Sequence, residues 1–356
     1  VVIDLRADAP FDAPKRLGFL LTIAVTALAV AFTRERAERE PFSRRQRAIL
    51  TCVAAALCLA IASALASPHR DIALDGVRTM LLMAVLPVLC AIVPNAWQAV
   101  TTGYLVGAGV NAIVAIAQGF GVETFDYITQ PLPGRTNVSA LIGNTGLLGL
   151  VIAFAALILA DRLDLRRPRT WIALAAIVIG LLAIGSKTPV AVLACGIMAR
   201  IGARRLLLST AVLFFLFAAN GKTLREEIDD RLLSYRLGAW KAAAMMAGER
   251  PLLGFGPNTY AAEYARHADP ELANPALVGS YAEAHNDWLQ AAAEIGIPAA
   301  ALLLVASVLL IRNARDPLVV SMLVAGAVSA LSWFPLQRPE TAIVLLAACG
   351  HAWRQR

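Results

Sequence analysis

The 356 residues are 58% hydrophobic and only 16% charged, with 32 Lys and Arg against 25 Asp and Glu, a formal charge of +7. A soluble domain is about a quarter charged, whereas here long, nearly charge-free apolar blocks dominate, which excludes an ordinary soluble enzyme and reads as an all-α polytopic membrane protein. The basic excess lies in short loops between those blocks without interleaved aromatics, so it speaks for membrane orientation and against a nucleic-acid groove.

The chain opens "VVIDLRADAPFDAPKR", with no basic flank, short apolar core and small-residue cleavage site of the signal-peptide kind. A spanning helix needs about 20 mostly apolar residues. Eleven spans are predicted in order, at 17–33, 48–66, 77–94, 99–119, 138–160, 170–185, 188–201, 205–219, 296–312, 317–334 and 340–353. A twelfth, upstream of Val1, would return the amino terminus to the cytoplasm and account for Lys15 and Arg16, the one discordant basic pair. The loops alternate in charge. Arg34, Arg36, Arg39, Arg44, Arg45 and Arg47 follow the first span; Arg162, Arg166, Arg167 and Arg169 follow the fifth; Arg200, Arg204 and Arg205 follow the seventh; Arg312 and Arg315 follow the ninth. All fall on one side, which the positive-inside rule makes cytoplasmic.

The other, periplasmic side receives "SPHRDIALDG", "GVETFDYITQPLPGRTN", the tight "SKT" link, a long segment from about 220 to 295, and "SWFPLQRPE". A connection of that length is functional or disordered far more often than idle, and this one has helical periodicity, so it is predicted to be a small folded cap. Three regions result: N-terminal spans over 1–219, the external segment over 220–295, and C-terminal spans over 296–356. Cys52, Cys58, Cys90, Cys195 and Cys349 all lie in apolar blocks without CxxC spacing, which predicts buried thiols and neither a disulfide nor a zinc site.

Cations on the external side need a reason other than topology. Lys187 in "IGSKTPVAV" has apolar neighbours on both sides, so it either serves a site or snorkels to the headgroups. Arg236 lies in a helix predicted from about Asp229 to Ala247, with Trp240 four residues on and so on the same face. Its planar guanidinium suits phosphate oxygens; the alternative is a salt bridge to Asp229, Asp230 or Glu249. "ERPLLGFGPN" then breaks the helix in a turn shaped by Pro251, Gly254, Gly256 and Pro257.

In "EAHNDWLQAAAEIG", Asp287, Gln290 and Glu294 form a polar stripe opposite Leu289 and Ala292. That predicts an interfacial helix feeding the span near Gly296. His285 stands at its start on the less polar face, with Asn286 beside it and with Asp287 and Glu283 as candidate partners. An imidazole there could take a proton from an attacking hydroxyl, or simply make a structural hydrogen bond. A metal-binding DxD-like motif or a glycosidase carboxylate pair is not identifiable in the external segments.

These motifs, taken in order, resemble the O-antigen ligase and polymerase superfamily of bacterial membrane glycan transferases. "HNDWLQAAAEIGIPA" looks like its His motif, "SYRLGAWKAAAMMAGERPLLGFGPNTY" like its Arg, Trp and P-x-x-G-x-G block, and "GSKTPVAVLA" like its Ser-Arg-Gly element with Lys187 for arginine. "PGRTNVSALIGN" looks like its Arg-to-Gly-Asn element, giving Arg135 and Asn144, and "SWFPLQRPETAIVLLAACG" like its terminal helix pair, with Arg338. Ala299 stands where the family's ligases favour Gly, Thr or Tyr, a departure bearing on the ligase subtype.

The resemblance implies a GT-C-like fold in the bacterial inner membrane and transfer of a glycan from undecaprenyl diphosphate to a hydroxyl acceptor on the periplasmic face, without cofactor or metal. It implies His285 as catalytic base and Arg236 as catalytic and diphosphate-binding. Lys187, Arg135 and Asn144 are further donor-binding residues, with Asn286, Trp240 and Arg338 in support. The acceptor would be a lipid A core sugar (ligase), a growing glycan (polymerase) or a protein Ser or Thr (O-oligosaccharyltransferase). The competing class is a flippase for lipid-linked sugar, which would place charges along a mid-membrane pathway. Here the spans are nearly charge-free and the polar groups gather on one face.

Overall fold

The structure, a computed structural model, describes residues 42–120, 122, 138–162, 177, 187–201, 231–269 and 283–355. In chain order its helices are α1 (Arg44–Leu65), α2 (Arg70–Ile92), α3 (Ala96–Gly119), α4 (Thr145–Arg162), α5 (Lys187–Ile201), α6 (Arg231–Glu249), α7 (Tyr260–His267), α8 (Asp287–Ile295), α9 (Ile297–Asn313), α10 (Pro317–Ser329) and α11 (Pro339–Arg354). No strand occurs among the described residues. Four helices, α1 to α4, are long and apolar enough to cross a membrane, and α5, α9 and α10 are shorter apolar helices. The spans expected at 17–33 and 205–219, and all of 170–185 except Ile177, lie outside the described residues.

Chain halves interleave. Helix α9 packs on α1, α11 on α2, and α10 on α5, while α4 lies against α3, α5, α10 and α11. Helix α4 has the physical signature of the centre: it is apolar on all sides, and Leu148, Leu150, Phe154 and Ile158 are fully buried. By contrast α2 and α3 leave Leu81, Val88, Val106, Ile113 and Ile116 exposed, as helices facing hydrocarbon do. Close approach needs small residues: a methyl on Gly350 of α11 would overlap the Pro87 carbonyl of α2.

The arginine-rich helix ends lie together. Arg45 donates to the Arg312 carbonyl (3.4 Å), Arg354 to that of Val93 (3.4 Å), and Arg162 to the hydroxyls of Thr101 and Thr102 (2.8 and 2.9 Å). Arg200 pairs with Asp161 at 2.7 Å. Helix α1 begins there in a capping box, Ser43 with Gln46, whose side chain also donates to the Trp353 carbonyl.

At the opposite end, α6, α7 and α8 share a small core of Ala242, Ala243, Met246, Phe255, Tyr260, Tyr264, Ala284 and Ala293. The α1–α2 corner holds them down. Ser63 Oγ donates to the Glu294 carbonyl (2.9 Å), Ser67 Oγ donates to the Phe255 carbonyl, and His69 Nε2 meets Glu263 Oε1 at 2.9 Å. The expected turn after α6 forms as a shaped loop. Gly254, Gly256 and Asn258 take positive φ, and Phe255 and Gly256 donate to the carbonyls of Ala293 and Glu294. A Cβ at Gly254 would lie 2.5 Å from the Glu294 carbonyl, which is the reason for glycine there.

Three boundaries move by five residues or more. Helix α2 begins at Arg70, seven residues before the apolar run, because "RDIALDG" continues the helix beyond the span. Helix α4 begins at Thr145, after a turn with Ala140 and Gly143 at positive φ. Helix α10 ends at Ser329, so Leu331 to Arg338 form a loop rather than the last turn of a span to residue 334. Pro335 disfavours helical φ and ψ at Phe334, and Trp333 and Phe334 are thereby freed to fold inward.

Candidate active site

Polar residues of three elements converge where α6, α8 and the 331–338 loop meet. Asn286 starts α8: its Oδ1 accepts from Trp288 and Leu289 N–H, and its Nδ2 donates to the Leu331 carbonyl (3.0 Å). Asp287 N–H donates to the Ala330 carbonyl (2.9 Å). The start of α8 is therefore stitched to the end of α10. Just before it, His285 has φ 53°, a left-handed conformation that non-glycine residues adopt only under tertiary constraint. From α6, Trp240 Nε1 donates to the His285 carbonyl at 3.2 Å and fixes that bend.

The imidazole of His285 rests on Trp333 (centroids 5.1 Å apart) and edge-on against Phe334 (4.9 Å). A cation flanks each ring: Arg236 lies 5.4 Å from the Trp333 centroid and Arg338 5.2 Å from that of Phe334. Arg338 also pairs with Glu283 at 2.8 Å. Burial, then Arg236, then Arg338 push His285 down to about 4, so the imidazole is neutral at pH 7. A neutral imidazole can accept a proton; an imidazolium cannot.

Asp287 is not the partner of His285 that its sequence position suggests. Its two oxygens accept from Leu336 N–H (3.1 Å) and Gln337 Nε2 (3.0 Å), so the carboxylate shapes the aromatic loop instead. The polar stripe of α8 also faces inward. Gln290 and Glu294 are buried, and Glu294 accepts from Asn258 N–H (2.9 Å), Tyr260 N–H (3.1 Å) and Gln290 Nε2 (3.0 Å). Backbone donors of the glycine-rich turn and of the helix after it draw the stripe inward, since a buried N–H must find an acceptor. Burial raises Asp287 and Glu294 to about 7 each, against these hydrogen bonds, which favour the charged form.

The structure brings together His285, Arg236, Trp240, Asn286 and Arg338. Asn144 caps α4, its Oδ1 accepting from Gly146 and Leu147 N–H (2.9 and 3.1 Å). It reaches the site indirectly, because the Trp333 indole packs on Gly146, where a methyl would overlap its Cζ2. Lys187 is the first residue of α5; its side chain, and Arg135, lie outside the described residues. Of the anionic alternatives for Arg236, Glu249 bonds His267 Nε2 instead (2.9 Å), and Asp229 and Asp230 lie outside the described residues. Trp333, Phe334, Gly146 and the Glu283–Arg338 pair escape sequence reasoning; the one available signal is an aromatic pair before a proline at a span end.

A comparison with curated proteins gives no match. Residues 140–304 match the O-antigen ligase family. The matched stretch holds Asn144, Lys187, Arg236, Trp240, His285 and Asn286, while Trp333, Phe334 and Arg338 lie beyond it. With four helices long and apolar enough to cross a membrane, the chain is an all-helical protein of multi-pass membrane character that is similar to the O-antigen ligase family over residues 140–304.

Proposed function

We propose that this protein transfers a glycan from undecaprenyl diphosphate to a hydroxyl acceptor at the periplasmic face of the bacterial inner membrane. The observation that carries the reading is His285 packed against two aromatic rings, with Arg236 and Arg338 against those rings. The acceptor hydroxyl gives its proton to His285 as its oxygen bonds to the anomeric carbon, and the carbon–oxygen bond to the diphosphate breaks. The leaving diphosphate gathers negative charge, which cations fixed in advance stabilise most strongly in the transition state. Arg236 takes that role, with Lys187 and Arg135 as further donor-binding residues. The reaction as written needs no metal ion.

The eleven-span topology belongs to the same proposal, with 1–219 and 296–356 as membrane regions around an external cap at 220–295. Support comes from the arginine-rich helix ends lying opposite α6 to α8. The acceptor classes remain a lipid A core sugar, a growing glycan or a protein hydroxyl. Purified protein supplied with a lipid-diphosphate-linked glycan tests the chemistry. His285→Ala and Arg236→Ala should each reduce transfer by about a hundredfold or more with folding intact, and transfer should survive excess chelator. Normal turnover in both variants, or strict metal dependence, would end this reading. Surface glycans after gene deletion identify the acceptor: uncapped lipid A core for a ligase, short chains for a polymerase, bare proteins for an oligosaccharyltransferase.

A further inference from the structure

Trp333 is 8% exposed, and its indole Nε1–H is buried without a hydrogen-bond acceptor among the described residues. An indole nitrogen only donates, and a buried donor without a partner is a costly and infrequent feature of a native fold. The ring cannot easily turn to relieve it. Its Cε2–Cζ2 edge, the side that bears Nε1, lies against Gly146 in the first turn of α4, and the ring packs at a tilt against His285 and Phe334. Around this donor stand the Arg236 guanidinium, 5.4 Å from the ring centroid, and the N-terminal end of an 18-residue helix with its partial positive charge. Both favour an anionic oxygen acceptor.

We infer that Trp333 is a donor-binding residue whose indole N–H hydrogen-bonds a phosphoryl oxygen of the lipid diphosphate, on the reading that such a lipid is the glycan donor. Trp333 then has two roles that one side chain can meet. Its face carries Arg236 and His285, and its edge holds the leaving group that Arg236 neutralises. Gly146 is the enabling residue, because any side chain there would displace the indole.

Trp333→Phe removes the N–H and keeps an aromatic face for Arg236 and His285. The test measures thermal midpoints and Kd for undecaprenyl diphosphate and for undecaprenol, which lacks the phosphates, in the purified full chain. Wild type is expected to be stabilised by the diphosphate. The variant should keep or raise its ligand-free midpoint, since an unsatisfied donor has gone. It should bind the diphosphate about tenfold more weakly, the usual scale for one hydrogen bond to a charged group, with undecaprenol binding unchanged. If wild type ignores the diphosphate, the functional reading fails and this inference with it. If wild type is stabilised and the variant binds equally well, only the role of Trp333 is overturned, and equal losses for both lipids overturn it in favour of packing. Should the variant not fold, benzothienylalanine at position 333, isosteric and without the N–H, is expected to show the same loss of about tenfold; normal binding there overturns the inference.

Discussion

His285 draws its character from three residues far from it in sequence. Arg236 is on α6, and Trp333 and Arg338 lie in the loop between α10 and α11. Burial and the two cations lower it to about 4 from 6.5. An imidazole with a depressed folded value contributes stability above pH 6.5 that is lost as the pH falls toward 4, because the unfolded chain takes up the proton first. The same shift governs catalysis. In kcat/KM, which reports the free enzyme, the acid limb is expected near pH 4. A bound diphosphate offsets the charge of the arginines, so the limb in kcat should lie higher. Arg338→Gln should move the kcat/KM limb upward, toward 6.5. Identical limbs at the ordinary histidine value in all three profiles would show that burial and cations do not set the base. The sequence offered His285, Arg236 and Trp240 as a set because each sits at a motif position or shares a helix face. It could not offer Trp333, which has no periodic relation to any of them.

At the scale of the element, α8 shows how a correct pattern can be aimed the wrong way. The spacing of Asp287, Gln290 and Glu294 marks one face of a helix, and that face exists. Its direction depends on the neighbours: Asn258 and Tyr260 present N–H groups to Glu294, and the 331–338 loop presents Leu336 N–H and Gln337 to Asp287. Glu294→Gln replaces an acceptor by an amide NH2 facing a backbone N–H, for a loss of about 1–3 kcal/mol. The pH sign follows from its raised value of about 7 against 4.5. The contribution of the wild-type carboxyl is complete below pH 4.5 and lost as pH rises through 7, so the gap between wild type and variant should narrow from about pH 5 to about pH 8. Thermal midpoints in detergent at the two pH values measure it; a gap that widens contradicts the buried, proton-holding carboxyl. Gly254 and Gly256 were legible as breakers, but what they and Gly296 pack against was not. A side chain on Gly254 would strike the Glu294 carbonyl at the end of α8 and one on Gly296 the Leu252 carbonyl of the turn, while one on Gly256 would strike Ser67 and Ala73 at the α1–α2 corner.

For the molecule as a whole, the charged loops and the folded contacts agree on two ends. Arg45, Arg162, Arg200, Arg312 and Arg354 gather at one, and α6 to α8 close the other. Single cysteines introduced near 258 and 266 in a background lacking native thiols should react with an impermeant reagent added from outside, and one at 315 only after permeabilisation. The reverse labelling would invert the proposed sidedness. The sequence by itself determined the all-helical membrane character, the alternation of basic loops and the resemblance of its ordered motifs, because hydropathy, charge and local motifs are properties of adjacent residues. Only the tertiary structure decided which way α8 turns, what Asp287 binds and which rings hold His285. Those depend on α10 ending at Ser329 and returning Trp333 to Gly146, a meeting of segments far apart in the chain that no local pattern encodes.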